Sequence, residues 1–237
     1  MCISNRIFKV CKNIIIMLLF ITFFNFNYGI VVKATPTQAD DGKLILIDPG
    51  HGGRDSGAVS RNGVLEKHIN LSISLKVKDR LEALGYTVMM TREEDKDFYG
   101  KGFDVNIMKR QDLNTRCNMK RDTNCDLFIS IHQNFFKQTN CQGSQVWYSR
   151  NKESKEFAHL LQENLKKDLG NNSREEKEAK DAYKILRCFT NIPSVIVECG
   201  FLTNSEEEKK LITNDYQDKI ADSIVKSIKE YYENEEE

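Results

Sequence analysis

The chain has little that would suit a nucleic acid, a membrane interior or a nucleotide. Its 237 residues carry 35 Lys+Arg against 35 Asp+Glu, so the basic surplus of a nucleic-acid binder is missing. A mean hydropathy of −0.52 excludes a polytopic membrane protein. Glycines gather in "DPGHGG", yet no G-x-G-x-x-G or G-x-x-x-x-G-K spacing accompanies them, which removes a phosphate-cradling loop. The seven cysteines contain no C-x-x-C pair, and five of them (Cys117, Cys125, Cys141, Cys188 and Cys199) lie beyond the N-terminal region. An odd number, in a domain of about 200 residues that can build its own core, argues against a disulfide framework. Most of these thiols are expected to be small buried apolar groups, with Cys125 and Cys141 as a candidate pair. Internal repeats and low-complexity blocks are missing as well.

A full apolar span is also lacking. "IIIMLLFITFF", Ile14 to Phe24, is interrupted by Asn25 and Asn27 before reaching the roughly 20 residues needed to cross a bilayer. Arg6, Lys9 and Lys12 precede it with no acid among them, and Val32 and Ala34 offer a small-residue cleavage site. This is the pattern of a secretory signal, which places the rest of the chain outside the cytoplasm whether the segment is cut or stays as an anchor. Residues 1–34 are read as signal or anchor, 35–42 as a polar linker, 43–232 as one folded domain, and "ENEEE" at 233–237 as a solvated acidic tail. Membrane contact is expected only through the N-terminal segment.

What is present alternates between strand and helix. "KLILID", "DLFISIH" and "SVIVECG" are continuous apolar runs, as strands buried on both faces should be. "YTVMMTR", "SQVWYS" and "YKILRC" read as further strands. Ile69, Ile73, Val77, Leu81 and Leu84 recur at helical spacing before Gly85. "SKEFAHLLQENLKKDLG" and "DYQDKIADSIVKSIKEYY" are amphipathic helices, "LNTRCNMKRD" a short one, and Glu93 to Asp112 a charged loop. The alternation predicts an α/β fold: a twisted, mostly parallel sheet with helices on both faces. Its site should lie outside the carboxyl ends of the strands.

Unusual polar residues fall at those ends. His51 follows the first strand in "ILIDPGHGGRDSGA", His132 closes "DLFISIH", and Glu198 closes "SVIVE". Glu66 opens the helix after the first strand's loop and so projects near His51. Each has a bland reading. His51 could sit in a surface turn, and Glu66 could favour its helix dipole. His132 could be a core imidazole bonded to backbone. Glu198 resists such a reading, because a carboxylate after buried β-branched residues suffers desolvation unless a cation, a proton or a metal compensates it. Together, two imidazoles and two carboxylates supply a hydrolytic zinc site: His and Glu ligands, an open position and a separate base. His68 and His159 are read as surface or packing residues. A two-carboxylate glycosidase using Glu66 and Glu198 would leave both histidines unexplained.

These segments resemble, in order and with normal spacing, the zinc-dependent N-acetylmuramoyl-L-alanine amidases of the Amidase_3 family. The likeness runs from about Lys43 to Tyr231 through "ILIDPGHGGRDSGA", the glutamate of "VLEKHINLSISL", "DLFISIHQN" and "VIVECGFLTN". It implies Zn2+ held by His51, Glu66 and His132, Glu198 as catalytic acid/base, and Asn134, Arg54 and Arg116 toward the substrate. The implied reaction is hydrolysis of the amide between the lactyl group of N-acetylmuramic acid and L-alanine in peptidoglycan. Gln133 and Cys199 depart from the family's usual residues; Gln133 is expected to narrow the cleft or alter substrate choice, and neither to touch a ligand. The short interval between the second and third motifs implies no inhibitory helix of the kind some relatives insert. A single domain behind a signal resembles the spore-cortex, germination-specific subgroup, which makes muramic-δ-lactam formation possible. That subgroup implies a location facing the wall or cortex, and an accessory protein as partner. Rival readings keep the zinc and cut another bond (a D,D- or L,D-peptidase, a sugar deacetylase), or drop catalysis for a wall-binding module.

Overall fold

The computed structural model describes residues 42–99, 104–170 and 173–235. The expected signal or anchor, and the linker up to residue 41, lie outside the described residues. In chain order the elements are β1 (Leu44–Pro49), α1 (Glu66–Ala83), β2 (Thr87–Met90), α2 (Val105–Thr123), β3 (Leu127–Asn134), β4 (Gln145–Tyr148), α3 (Lys152–Leu169), β5 (Lys177–Glu178), α4 (Lys184–Arg187), β6 (Ser194–Phe201), α5 (Ser205–Leu211) and α6 (Asn214–Glu235). The sheet order is β2-β1-β3-β6-β4-β5. Every neighbouring pair is parallel except β4 with β6. This is the mostly parallel α/β sheet that the alternation predicts.

Strand residues alternate between two covered faces, because successive side chains leave a strand on opposite sides. On one face Ile45, Ile47, Leu127, Ile129, Ile131, Val195 and Val197 pack against Ile69, Ile73 and Val77 of α1, Phe157 and Leu161 of α3, and Ile220 and Ile224 of α6. On the other, Leu46, Phe128 and Ile196 meet Cys117 of α2 and Ile185 and Leu186 of α4. Continuous apolar runs in the central strands follow from having both faces covered. No helix among the described residues is long and apolar enough to cross a membrane.

The structure corrects several local expectations. The segment read as a loop from Glu93 to Asp112 already turns helical at Val105, where Asp104 caps α2 by accepting from the Asn106 and Ile107 amides. Its first turns are exposed, so they carry no apolar periodicity. "YKILRC" is not a strand; it holds the four-residue helix α4. The helix α6 continues to Glu235, into the stretch read as a tail. Cys117 and Cys188 form a disulfide with Cα atoms 6.1 Å apart at a sequence separation of 71. Cys125 and Cys141, the pair the sequence suggested, are free. The pairing follows from α2 and α4 packing together, which no spacing along the chain reveals.

Candidate active site

The site is built at the carboxyl ends of β1, β3 and β6. His51 lies just past β1 with φ of 62°, a left-handed conformation that few non-glycine residues adopt. Gly50 precedes it, and a Cβ there would lie 2.2–2.6 Å from the His132 ring. Glycine is therefore obligatory for the two imidazoles to approach. Their ring centroids are 4.9 Å apart. Glu66 starts α1, whose first amides are capped by loop carbonyls: Glu66 donates to Ala58 and Lys67 to Ser56.

The carboxylate of Glu66 stands between the two histidines. Its Oε2 is 3.3 Å from His51 Nε2, and its Oε1 is 3.0 Å from His132 Nδ1. Donor atoms of His51, Glu66 and His132 all lie within 4.8 Å of one another. Two imidazole nitrogens and one carboxylate oxygen are the donor set of a catalytic zinc site, so these residues fit the metal that the sequence implies. Burial alone would raise the Glu66 carboxyl, but hydrogen bonds from His132 and His51 hold it well below the usual range. Burial disfavours a charged His51, yet Asp55 and Glu66 outweigh it and lift its pKa to about 10. A place this favourable to positive charge accepts a proton or a metal cation.

Asp55 was missed by sequence reasoning. It lies 2.8 Å from His51 Nδ1, turning Nε2 toward Glu66, as carboxylates behind metal-binding histidines commonly do. Burial opposes its ionisation, but the His51 contact holds its pKa down to about 2. The available signal was its position four residues after His51, inside the loop already singled out.

Glu198 is the cross-strand partner of His132 in the β3–β6 register. It is only 7% exposed, and its Oε2 has no hydrogen-bond partner among the described residues. Burial pushes its carboxyl up to about 7; His132 and His51 pull downward and Glu66 upward. A carboxyl with a pKa near neutrality can accept a proton and return it.

The remaining expected residues separate. Asn134 ends β3, half-buried, with its carbonyl accepting from Leu202. Arg54 is exposed and bonded to Asp97 and the Tyr99 carbonyl. Arg116 is buried, and its guanidinium donates to Asp48, Asp112 and the carbonyls of Pro49 and His51. The structure thus places it beneath the His51 loop and not in an open cleft. Gln133 does not narrow the cleft either: it is buried, its amide donates to Asn70, and its backbone N–H reaches Glu66 Oε1 at 3.0 Å. The expectation that it touches no ligand is overturned with it. Cys199 joins the apolar core. His68 and His159 are exposed and lie beside Asp95 and Glu176.

An α/β sheet presenting a ligand-type triad and a neutral-range carboxyl at its strand ends is the apparatus of a hydrolase. The chain belongs to the N-acetylmuramoyl-L-alanine amidase family Amidase_3, which it matches over residues 45–230. It is 36% identical over 193 residues to the germination-specific N-acetylmuramoyl-L-alanine amidase of Bacillus subtilis (strain 168), covering 81% of this chain and 80% of that protein. It superposes with a TM-score of 0.78 and 38% identity on the CwlD amidase from Clostridioides difficile, solved in complex with the GerS lipoprotein, covering 81% and 99% of the two chains. An N-acetylmuramoyl-L-alanine amidase from Clostridium difficile 630 gives a TM-score of 0.71 at 30% identity, covering 82% and 98%.

Proposed function

We propose that this amidase is a zinc enzyme of the spore cortex, with His51, Glu66 and His132 as ligands and Glu198 as acid/base. One observation carries the reading: three ligand-type side chains cluster together, and one of them, His132, pairs across the sheet with a buried carboxyl whose pKa burial raises to about 7. When bound, zinc supplies Lewis acidity, acidifying water and polarising a carbonyl. Glu198, ionised above its pKa, takes a proton from attacking water and gives it to the departing alanine nitrogen. Its Oε2 is buried and makes no hydrogen bond among the described residues. Asp55 orients His51, and Glu66 spans both imidazoles.

The cortex assignment draws on the likeness to a germination-specific amidase and to CwlD. CwlD was solved with a lipoprotein, which supports an accessory partner for this chain too. The basic, apolar N-terminal segment supports export, with the enzyme secreted or anchored facing the wall.

The decisive experiment digests purified peptidoglycan and reads the products by mass spectrometry. Bare glycan and intact peptides with a free L-alanine terminus are expected. Shortened peptides would establish a peptidase, and a loss of acetate without peptide release a deacetylase.

A further inference from the structure

We propose that Arg92 is a positioning residue for the metal centre, fixing the separation of His51 and Glu66 by tying together the backbone segments that carry them. The proposal rests on the zinc reading above. Arg92 follows β2 and is 1% exposed. Its Nε donates to the Pro49 carbonyl at 3.0 Å and Nη2 to the Gly50 carbonyl at 2.9 Å. Nη2 also donates to the Lys67 carbonyl at 3.0 Å, and Nη1 to that of Glu94 at 3.2 Å. Gly50 adjoins His51, and Lys67 adjoins Glu66. One planar group therefore spans the loop of the first ligand and the opening turn of the helix bearing the second.

Three features argue for positioning and not mere filling. First, the charge is held at a disadvantage: burial and the neighbouring Arg116 lower the Arg92 pKa to about 10. An apolar side chain of similar volume would fill the space without that penalty, but it could not bridge four carbonyls. Second, the loop rests directly on this side chain, since a Cβ at Gly52 would lie 2.9 Å from Arg92 Nε. Third, His51 holds a left-handed backbone, which persists only where its surroundings over-determine it. Arg116 secures the Pro49 and His51 carbonyls from the other side but makes no hydrogen bond to α1 among the described residues. Asn70 is the other bridge, donating to both the Gly50 carbonyl and Glu66 Oε1.

The test uses the full chain with Arg92→Lys and Arg92→Met, and zinc ion as the probe. An ammonium keeps the charge and loses the fork, so lysine should not restore the function. Both variants should melt cooperatively yet bind zinc about 10–100-fold more weakly in competition with a chromophoric chelator, as loss of an outer partner of a metal ligand does. At subsaturating zinc kcat should fall with KM nearly unchanged. Variants that only melt at lower temperature while keeping wild-type zinc affinity would overturn the proposal. If neither variant folds, Asn70→Ala, which cuts the other bridge, must weaken zinc binding, and an unchanged affinity would again overturn it. Wild-type protein that binds no zinc would remove the reading underneath, a result visible before any variant is made.

Discussion

The two faces of the sheet are made by the same strands and do opposite work. In β3, Leu127, Ile129 and Ile131 enter an apolar layer against α1, α3 and α6, while Phe128 and Ser130 turn to the other side and His132 stands at the strand's end against Glu66 of α1. In β6, Val195 and Val197 do the first and Glu198 the second. On the apolar face burial is free of conflict. On the other, Asp48 needs Thr91, Ser130 and Arg116 to stay charged. Glu198 there has no hydrogen-bond partner for one oxygen among the described residues. The contrast shows how a rigid site is made: one side of the strands is packed by the larger apolar layer, and the other combines a smaller apolar cluster with desolvated charges near the strand ends.

The largest effect should come from emptying the polar face of metal. Chelation should abolish peptide release and added zinc restore it; full activity in protein shown to contain no metal would end the zinc assignment. Next, Glu198→Gln should lower turnover by about 10²–10⁴-fold while zinc stays bound, the range associated with a lost acid/base. The same change should raise the melting temperature of metal-free protein at pH 8. The sign follows from a carboxyl whose pKa rises from 4.5 to about 7 on folding. It contributes stability below 4.5 that is lost as pH rises through 7, so removing the charge helps above that value. A lower melting temperature for the variant at pH 8 would contradict the comparison.

On the apolar face, Ile129→Ala should destabilise by about 2–5 kcal/mol in denaturant unfolding, with the pH dependence of kcat unmoved. A shifted pH profile would mean the two sides are less separate than described. Replacing Cys117 and Cys188 with serine together should lower stability by about 4 kcal/mol or less, since the bridge closes a loop of 71 residues in the unfolded chain. An unchanged midpoint would show that α2 and α4 are held by packing alone. Smallest is the titration itself: kcat should fall toward acid pH as Glu198 takes up the proton that stops it acting as a base. Its midpoint should lie below the value of about 7 that burial gives the carboxyl without a metal, because a bound dication favours the charged form. A flat profile down to pH 5 would assign the proton transfer to another group.

Features that depend on neighbours in sequence were legible. The runs "KLILID", "DLFISIH" and "SVIVECG" announced buried strands, and His51, His132 and Glu198, at or just past their ends, announced the site. Glu198 could even be read as conflicted, because desolvation acts on any carboxyl after such a run. Features created by folding back were hidden. Arg92 looks like an ordinary charge after a strand, since three of its partners are carbonyls supplied by two other segments. Arg116 was expected toward the substrate only through the family resemblance, whereas folding buries it against Asp48 and the His51 loop. The Cys117–Cys188 bond and the α4 helix were missed for the same reason: short segments take their form from what they pack against.

The missing side chain at Gly50 carries a lesson for anyone scanning the gene. A mutational library should find position 50 as intolerant as the histidines, with even alanine displacing an imidazole. A functional screen alone would rank it among the reacting groups, although it contributes no atom to bond-breaking; what its missing side chain does is leave room.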